Sequence, residues 1–279
     1  GLDSIVFVKR FTYTANHYYS EYKNGAWLPG GNICVLSLKD GSVREIVTGL
    51  KGGVFGRFDL SFDARKIVFD WKKANGEGYR IYEIDVDGTN LRQLTFPQAD
   101  EKQLVAKYKN PKLPRAYIGY HHGTDDMHPC YLPDGGIAFI STRCQYGTLC
   151  GAWGNFTTTV LYRMDSDGKN IKKLTNSSVS EAYPAVTSDG RIMYTRWEYV
   201  NKGAVSAKCL WAMKPDGSAS VEIYGNDISL PPSFIQGRPI PGAPNNSVMP
   251  GAPHYPQAAD GTVIRLDMAK HIRPREPKT

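Results

Sequence analysis

The sequence predicts an all-β fold, a β-propeller of four-stranded antiparallel blades, from three observations. A tight Asp-Gly turn recurs between apolar segments, at Val86-Asp87-Gly88, Pro133-Asp134-Gly135, Asp167-Gly168, Ser188-Asp189-Gly190 and Pro215-Asp216-Gly217. The longer pattern Asp-x-Asp-Gly-x-Asn-x-x-x-Leu-Thr occurs at 85–95 and again at 165–175. A strand signature of aliphatic, aromatic, variable and aliphatic residues repeats at Ile81-Tyr82-Glu83-Ile84, Leu161-Tyr162-Arg163-Met164 and Leu210-Trp211-Ala212-Met213, with weaker copies at Ile33-Cys34-Val35-Leu36 and Val263-Ile264-Arg265-Leu266. Repetition at tens of residues means that each unit buries its apolar faces by stacking on its neighbours.

Taken in order, the units are a first one lacking its opening strand (5–47), three complete ones (about 58–95, 127–175 and 183–224) and a fifth from 237 to 267 or beyond. The Gly of each turn supplies a positive φ. Propellers close with about four to eight blades, so the five units are read as part of a six- to eight-bladed ring. Ile5 begins inside a blade and 273–279 is a basic, proline-containing exit. The expectation is one propeller domain over 1–279 that is a fragment of a longer chain.

A chain of 279 residues with 41% hydrophobic and 11% aromatic content can bury a full core. No helix-period stretch, no apolar run long enough to span a bilayer and no signal peptide is visible. The net charge of +7 is interspersed, with local concentrations at 102–115 and 270–278. Without a basic helix or an aromatic stacking platform these read as solvated faces, not as a nucleic-acid surface; an acidic protein partner stays open. Of the cysteines, Cys34, Cys130 and Cys209 read as buried small apolar residues. Cys144 and Cys150 bracket a short loop and could bridge in an oxidising compartment.

Blade geometry sorts the connections by face. The first-to-second and third-to-fourth turns are all tight, whereas the second-to-third loops and the links between blades hold the irregular segments 11–31, 96–126, 144–159, 197–208, 226–236 and 250–260. One face is elaborated, and loops on a rigid scaffold are where binding and chemistry are carried. His17, His121, His122, His128 and His254 fall on that face.

The segment 121–130 is the densest cluster of ligand types. His121, His122, Asp126, His128 and the more distant His254 offer imidazole and carboxylate groups suited to zinc or another divalent metal. The competing reading has His128 and Asp126 bonding backbone groups at the channel mouth and His121-His122 as an exposed loop. Arg57, Glu181 and Gln236 precede their own opening strands in comparable positions and complete a polar ring. Arg143 and Arg196 recur after second strands, suited either to packing blades by ion pairs or to clamping a ligand. The aromatic loop with Tyr18 and Trp27 has the composition of a contact surface or of a loop folded over the rim. No nucleophile elbow, zinc-helix motif, phosphate loop or haem-attachment motif occurs.

The segments Pro129–Gly135 and Pro184–Gly190 resemble the TolB-like propeller repeat. The stretches 126–144, 189–200 and 210–217, with Tyr224-Gly225-Asn226 and Pro239-Ile240-Pro241-Gly242, are similar to the propeller region of hydrazine synthase α-subunits and their relatives in planctomycete-type bacteria. That resemblance implies a periplasmic or extracellular module of a larger redox assembly, with other domains or subunits as partners and any haem supplied by them. It brings no catalytic residue to this sequence. Two enzymatic alternatives follow: a direct contribution to a haem or metal site acting on small nitrogen compounds, and a uronate lyase-type propeller with a metal on His128 and His254.

Overall fold

The computed structural model describes residues 2–11, 28–74, 76–108, 123–147, 157–199, 207–225, 228, 231–253 and 261–269. Its strands form successive antiparallel sheets, one for each unit of the sequence repeat. The first is β1 (Ser4–Lys9), β2 (Asn32–Ser37) and β3 (Val43–Glu45), paired in that order. The second is β4 (Val54–Leu60), β5 (Lys66–Lys72), β6 (Arg80–Asp85) and β7 (Arg92–Gln93). The third is β8 (Asp126–Tyr131), β9 (Ile137–Ser141), β10 (Val160–Met164) and β11 (Lys172–Lys173). The fourth is β12 (Glu181–Val186), β13 (Ile192–Trp197), β14 (Lys208–Met213) and β15 (Val221–Tyr224).

In the fifth unit the opening strand is interrupted, so that β16 (Ser233–Phe234) and β17 (Arg238–Ile240) both pair with β18 (Ala243–Ala252), which pairs with β19 (Thr262–Asp267). A single parallel pair, Lys208 with Ser233, joins the fourth and fifth units into one continuous sheet.

The aromatic of the strand signature packs across to the second strand of its own blade. Tyr82 stacks on Phe69 and Tyr162 on Phe139, each at 5.8 Å between ring centroids, from directly opposed register positions. Tyr194 and Trp211 hold the same opposed positions in the fourth blade. Such cross-strand aromatic pairs add about 0.5–1.5 kcal/mol beyond area burial.

The core lies between blades. One cluster joins Ile33 and Ile46 of the first sheet to Phe55, Phe69 and Trp71 of the second; the next joins Val68 and Ile81 to Phe139 and Tyr162. The third packs Met127, Ile140 and Leu161 against Ala182, Tyr194 and Trp197, and the last packs Met193 and Leu210 against Phe234 and Met249. Cys34, Cys130 and Cys209 are buried, as their strand positions predict. Cys144 Sγ lies 3.6 Å from the Thr158 carbonyl; its pairing with Cys150 falls outside the described residues.

The Asp-Gly turns between third and fourth strands have a second job. Gly88, Gly168 and Gly217 all have positive φ, and each lies against the preceding blade: a Cβ there would meet the carbonyl oxygens of Ile46, Leu94 and Leu174 at 3.1, 2.3 and 2.9 Å. Arginines brace the same junctions, Arg44 on the carbonyls of Val86 and Asp87, Arg92 on Ser166 and Arg163 on Pro215. This is the plain face.

The opposite face carries one element that the sequence reading lacks, the helix α1 (Glu101–Tyr108). Its weak amphipathic pattern hides it, and a buried ion pair holds it in place. Arg80 at the start of β6 meets both oxygens of Glu101, at 2.6 and 2.9 Å, and Glu101 also accepts the Thr124 N–H at 3.1 Å. Among the described residues no helix is long and apolar enough to cross a membrane.

Candidate functional site

Each innermost strand carries a one-residue bulge. Register shifts fall between Phe55 and Phe58, between Met127 and Cys130, and between Ala182 and Ala185, while the fifth strand breaks between Phe234 and Arg238. Aligning the blades through their cross-strand partners places Arg57, His128, Tyr183 and Gln236 at one equivalent position. These four line a common pocket at the channel, together with Pro129, Pro184, Gly237 and Arg238.

The backbone there is unusual for such side chains. His128, Tyr183 and Gln236 have φ of 51, 58 and 55°, a left-handed conformation that costs a non-glycine residue about 1–2 kcal/mol. His128 and Tyr183 each precede a proline, which restricts them further. Bulges re-aim side chains, and strain of this kind collects at functional positions.

Groups from neighbouring blades satisfy the bulged backbone. Asp70 on β5 sits opposite Gly56, where a Cβ would come within 1.6 Å of its Oδ1; Gly56 leaves room for the carboxylate. Its Oδ1 accepts the Arg57 N–H at 2.9 Å and its Oδ2 the His128 N–H at 2.6 Å. His128 Nδ1 in turn accepts the Tyr183 N–H at 3.3 Å, which places the ring proton on Nε2. Arg10 donates to the carbonyls of Phe55 and Gly56 at 3.4 and 3.0 Å.

The side chains at the bulge pack face on. The His128 and Tyr183 rings stack at 4.7 Å with 12° between planes, and the Arg57 guanidinium lies 4.6 Å from the Tyr183 ring centre. Arg238 crosses the channel from the fifth blade to the second, donating to Asp59 Oδ1 at 3.0 Å and to the Phe58 carbonyl at 3.2 Å. Asp59 also accepts the Tyr131 N–H.

Burial sets the electrostatics. Desolvation pushes the Asp70 carboxyl up to about 6 and outweighs the two N–H donors and the nearby Arg57 and Arg10. Desolvation likewise raises Asp59 against Arg238. His128 is held well below the usual imidazole range by burial first, then by Arg57, Arg10 and Arg238. The imidazole is therefore neutral, disfavoured as a cation by burial and by the positive charges of Arg57, Arg10 and Arg238.

Arg57, His128 and Gln236 come together, but their counterpart in the fourth blade is Tyr183, not Glu181. Glu181 aligns with Asp126 at the strand start, where its Oε2 accepts the Leu161 N–H at 3.3 Å and the Thr175 hydroxyl. Burial pushes its carboxyl up to about 7.

Asp126 is engaged elsewhere. Arg143 donates to both its oxygens at 2.7 Å, Ser141 adds a third bond at 2.8 Å, and Arg143 also reaches the Phe96 carbonyl. Arg196 is not its repeat: Arg196 pairs in register with Glu181, the place that Ser141 holds against Asp126, and its guanidinium lies 4.4 Å from the Trp211 ring centre. Arg143 joins its blade to the Phe96 carbonyl of the preceding link, whereas the contacts of Arg196 with Trp211 and Glu198 stay within the fourth blade. His121, His122, His254, Tyr18 and Trp27 lie outside the described residues. Among the described residues, no group of three or more His, Cys, Asp or Glu side chains is placed to hold a metal ion.

Sequence reasoning missed Asp59, Asp70, Tyr183 and Arg238. Asp70 carried a signal, since it stands where the other complete blades have Ile140 and Thr195.

A β-propeller with an ordered polar ring at its channel is the class that fold and site define. Solved structures agree on the fold. Hydrazine synthase of Kuenenia stuttgartiensis superposes with a TM-score of 0.65 at 14% identity, over 96% of this chain and 38% of that one. A putative TolB from Agrobacterium tumefaciens gives 0.55 at 16%, over 95% and 88%, and an oligogalacturonate lyase in complex with manganese gives 0.50 at 12%, over 86% and 57%. The chain spans well under half the length of the hydrazine synthase chain. No family model and no curated protein matches the sequence.

Proposed function

We propose that the chain is an exported recognition and scaffolding propeller of a larger redox assembly, with the elaborated face as its docking surface. The asymmetry of the two faces carries this reading. On one side the described turns are short, and those between third and fourth strands lie against the preceding blade at Gly88, Gly168 and Gly217. On the other, α1 is fixed through Glu101 and Arg80, and Arg143 ties Asp126 to the Phe96 carbonyl. A rigid platform with structure added on one side suits protein docking. The likeness to hydrazine synthase supports a setting beside haem-bearing domains or subunits, which would supply the redox chemistry while this module positions them.

The test is the intact mass and visible absorbance of the polypeptide purified from its native source. A mass well above 31.0 kDa, or stable co-purification with a haem-bearing partner, together with Soret absorption, is the expected result. A free-standing polypeptide near that mass without haem or a haem-bearing partner overturns the assembly reading.

A further inference from the structure

At the elaborated-face end of the fourth blade, one guanidinium stands between two buried carboxylates. Glu181 on β12 and Arg196 on β13 oppose each other directly in register, which puts their side chains on one face of the sheet. Glu198, one residue beyond β13, brings its Oε1 within 4.0 Å of the Arg196 Nε. Glu181 and Glu198 are only 2% and 1% exposed. Yet the arginine is not spent on either. Its Nε is buried without a hydrogen-bond partner, and its guanidinium lies 4.4 Å from the Trp211 ring centre. Glu198 Oε1 takes the Trp211 indole N–H instead, at 2.6 Å. On Glu181 the Leu161 N–H and the Thr175 hydroxyl both fall on Oε2 and neither on Oε1. An unused buried donor, costly to leave unpaired, thus faces a carboxylate oxygen that can accept it.

The surrounding titratable groups are otherwise engaged or turned away. On the same face Cys209 stands opposite Arg196, and the Tyr194 hydroxyl shares a hydrogen bond with Ser220. Lys208 pairs in register with Trp197 and so lies on the other face of β14. The third blade brings Asp126 and Arg143, paired with each other, Arg163, paired with Asp134, and His128, whose ring lies on Tyr183. β17 brings Arg238, paired with Asp59. One guanidinium cannot balance two buried carboxylates, so a proton completes the cluster. Burial, and to a smaller degree Glu198, push the Glu181 carboxyl up to about 7 against Thr175, Leu161 and Arg196.

We infer that Glu181 and Arg196 form a proton-operated switch: the guanidinium rests on Trp211 while Glu181 holds its proton, and turns to the Glu181 carboxylate when that proton leaves to solvent. The switch makes this end of the fourth blade respond to the pH of its compartment. It stands whether or not the elaborated face docks a partner.

The test follows two resonances of the full chain by NMR between about pH 5 and 9: the Trp211 indole N–H, assigned with Trp211→Phe, and the Arg196 Nε–H, assigned with Arg196→Gln. Both should shift together, with one midpoint at about 7. In Glu181→Gln, whose amide oxygen still accepts from Leu161 and Thr175, the Trp211 and Arg196 responses should vanish. In Arg196→Gln the Trp211 response should also vanish, while the Glu181 carboxyl, followed through its own carbon resonance, titrates at higher pH because a favourable charge has gone. Circular dichroism and the thermal midpoint identify any variant that fails to fold, and the titration of the unaltered chain keeps the test decisive if one does. A Trp211 resonance that stays still across this range overturns the inference. So does a Trp211 response that persists in folded Glu181→Gln or in folded Arg196→Gln.

Discussion

The carboxylate of Asp70 in the second blade accepts the backbone N–H of His128 in the third, 2.6 Å away. One side chain thereby pins two bulges, since its other oxygen takes the Arg57 N–H. Removing it strands two buried donors. Asp70→Ala should lower unfolding stability by about 2–5 kcal/mol, measured by urea denaturation. Asp70→Asn, which keeps one acceptor, should lower it by less.

Asp70 and Glu181 also set a pH dependence. Their folded-state values of about 6 and about 7 lie above the unfolded ones, so the native state binds more protons between the two limits. Their contribution is fully present below about pH 4 and is lost as pH rises through about 6 and 7. In Glu181→Gln the amide oxygen can still accept from Leu161 and Thr175, and the fall in stability between about pH 4.5 and 7 should flatten. Urea midpoints across that range check it.

Two glycines separate backbone conformation from blade contact. Gly135 and Gly168 have φ of 86 and 83°, but a Cβ on Gly135 meets nothing within 4 Å, whereas one on Gly168 comes within 2.3 Å of the Leu94 carbonyl. Gly135→Ala should cost about 1 kcal/mol. Gly168→Ala should cost a further 1–3 kcal/mol or so from overpacking, visible as a lower thermal midpoint.

The Arg143–Asp126 pair is buried, with side-chain exposures of 11% and 0%. Arg143→Ala leaves the carboxylate without its counterion and should destabilise the fold by about 3–5 kcal/mol. Asp126→Ala made on that background should cost clearly less than Asp126→Ala alone, which a double-mutant cycle in denaturant resolves.

Strain at the ring should be measurable. Gln236→Gly removes the penalty of φ at 55° and should raise stability by up to about 1 kcal/mol. A rise in the thermal midpoint of Gln236→Gly over the parent checks it.

The blades were legible because their causes are local. Asp-Gly turns and the aromatic of the third strand need only a few adjacent residues, and both sit where the repeat puts them. The ring was half legible. His128 was picked out by its chemistry, whereas position 183 was read only as the start of its unit and Glu181, two residues earlier, as the polar member. Which of the two enters the channel depends on a bulge between Ala182 and Ala185, and a one-residue bulge leaves no mark when the residue that adopts it is not glycine. Arg143 and Arg196 misled in the opposite way. They look periodic, but register sets them two places apart.

Arg238 and Asp59 are 179 positions apart in the chain, yet they touch. A linear array of repeats melts from its ends, because each unit is held only by its neighbours. Here the fifth unit is latched to the second across the centre, so neither can fray without breaking that latch. The latch also cannot form until the residues between Asp59 and Arg238 have been made, which makes it a late contact among these units.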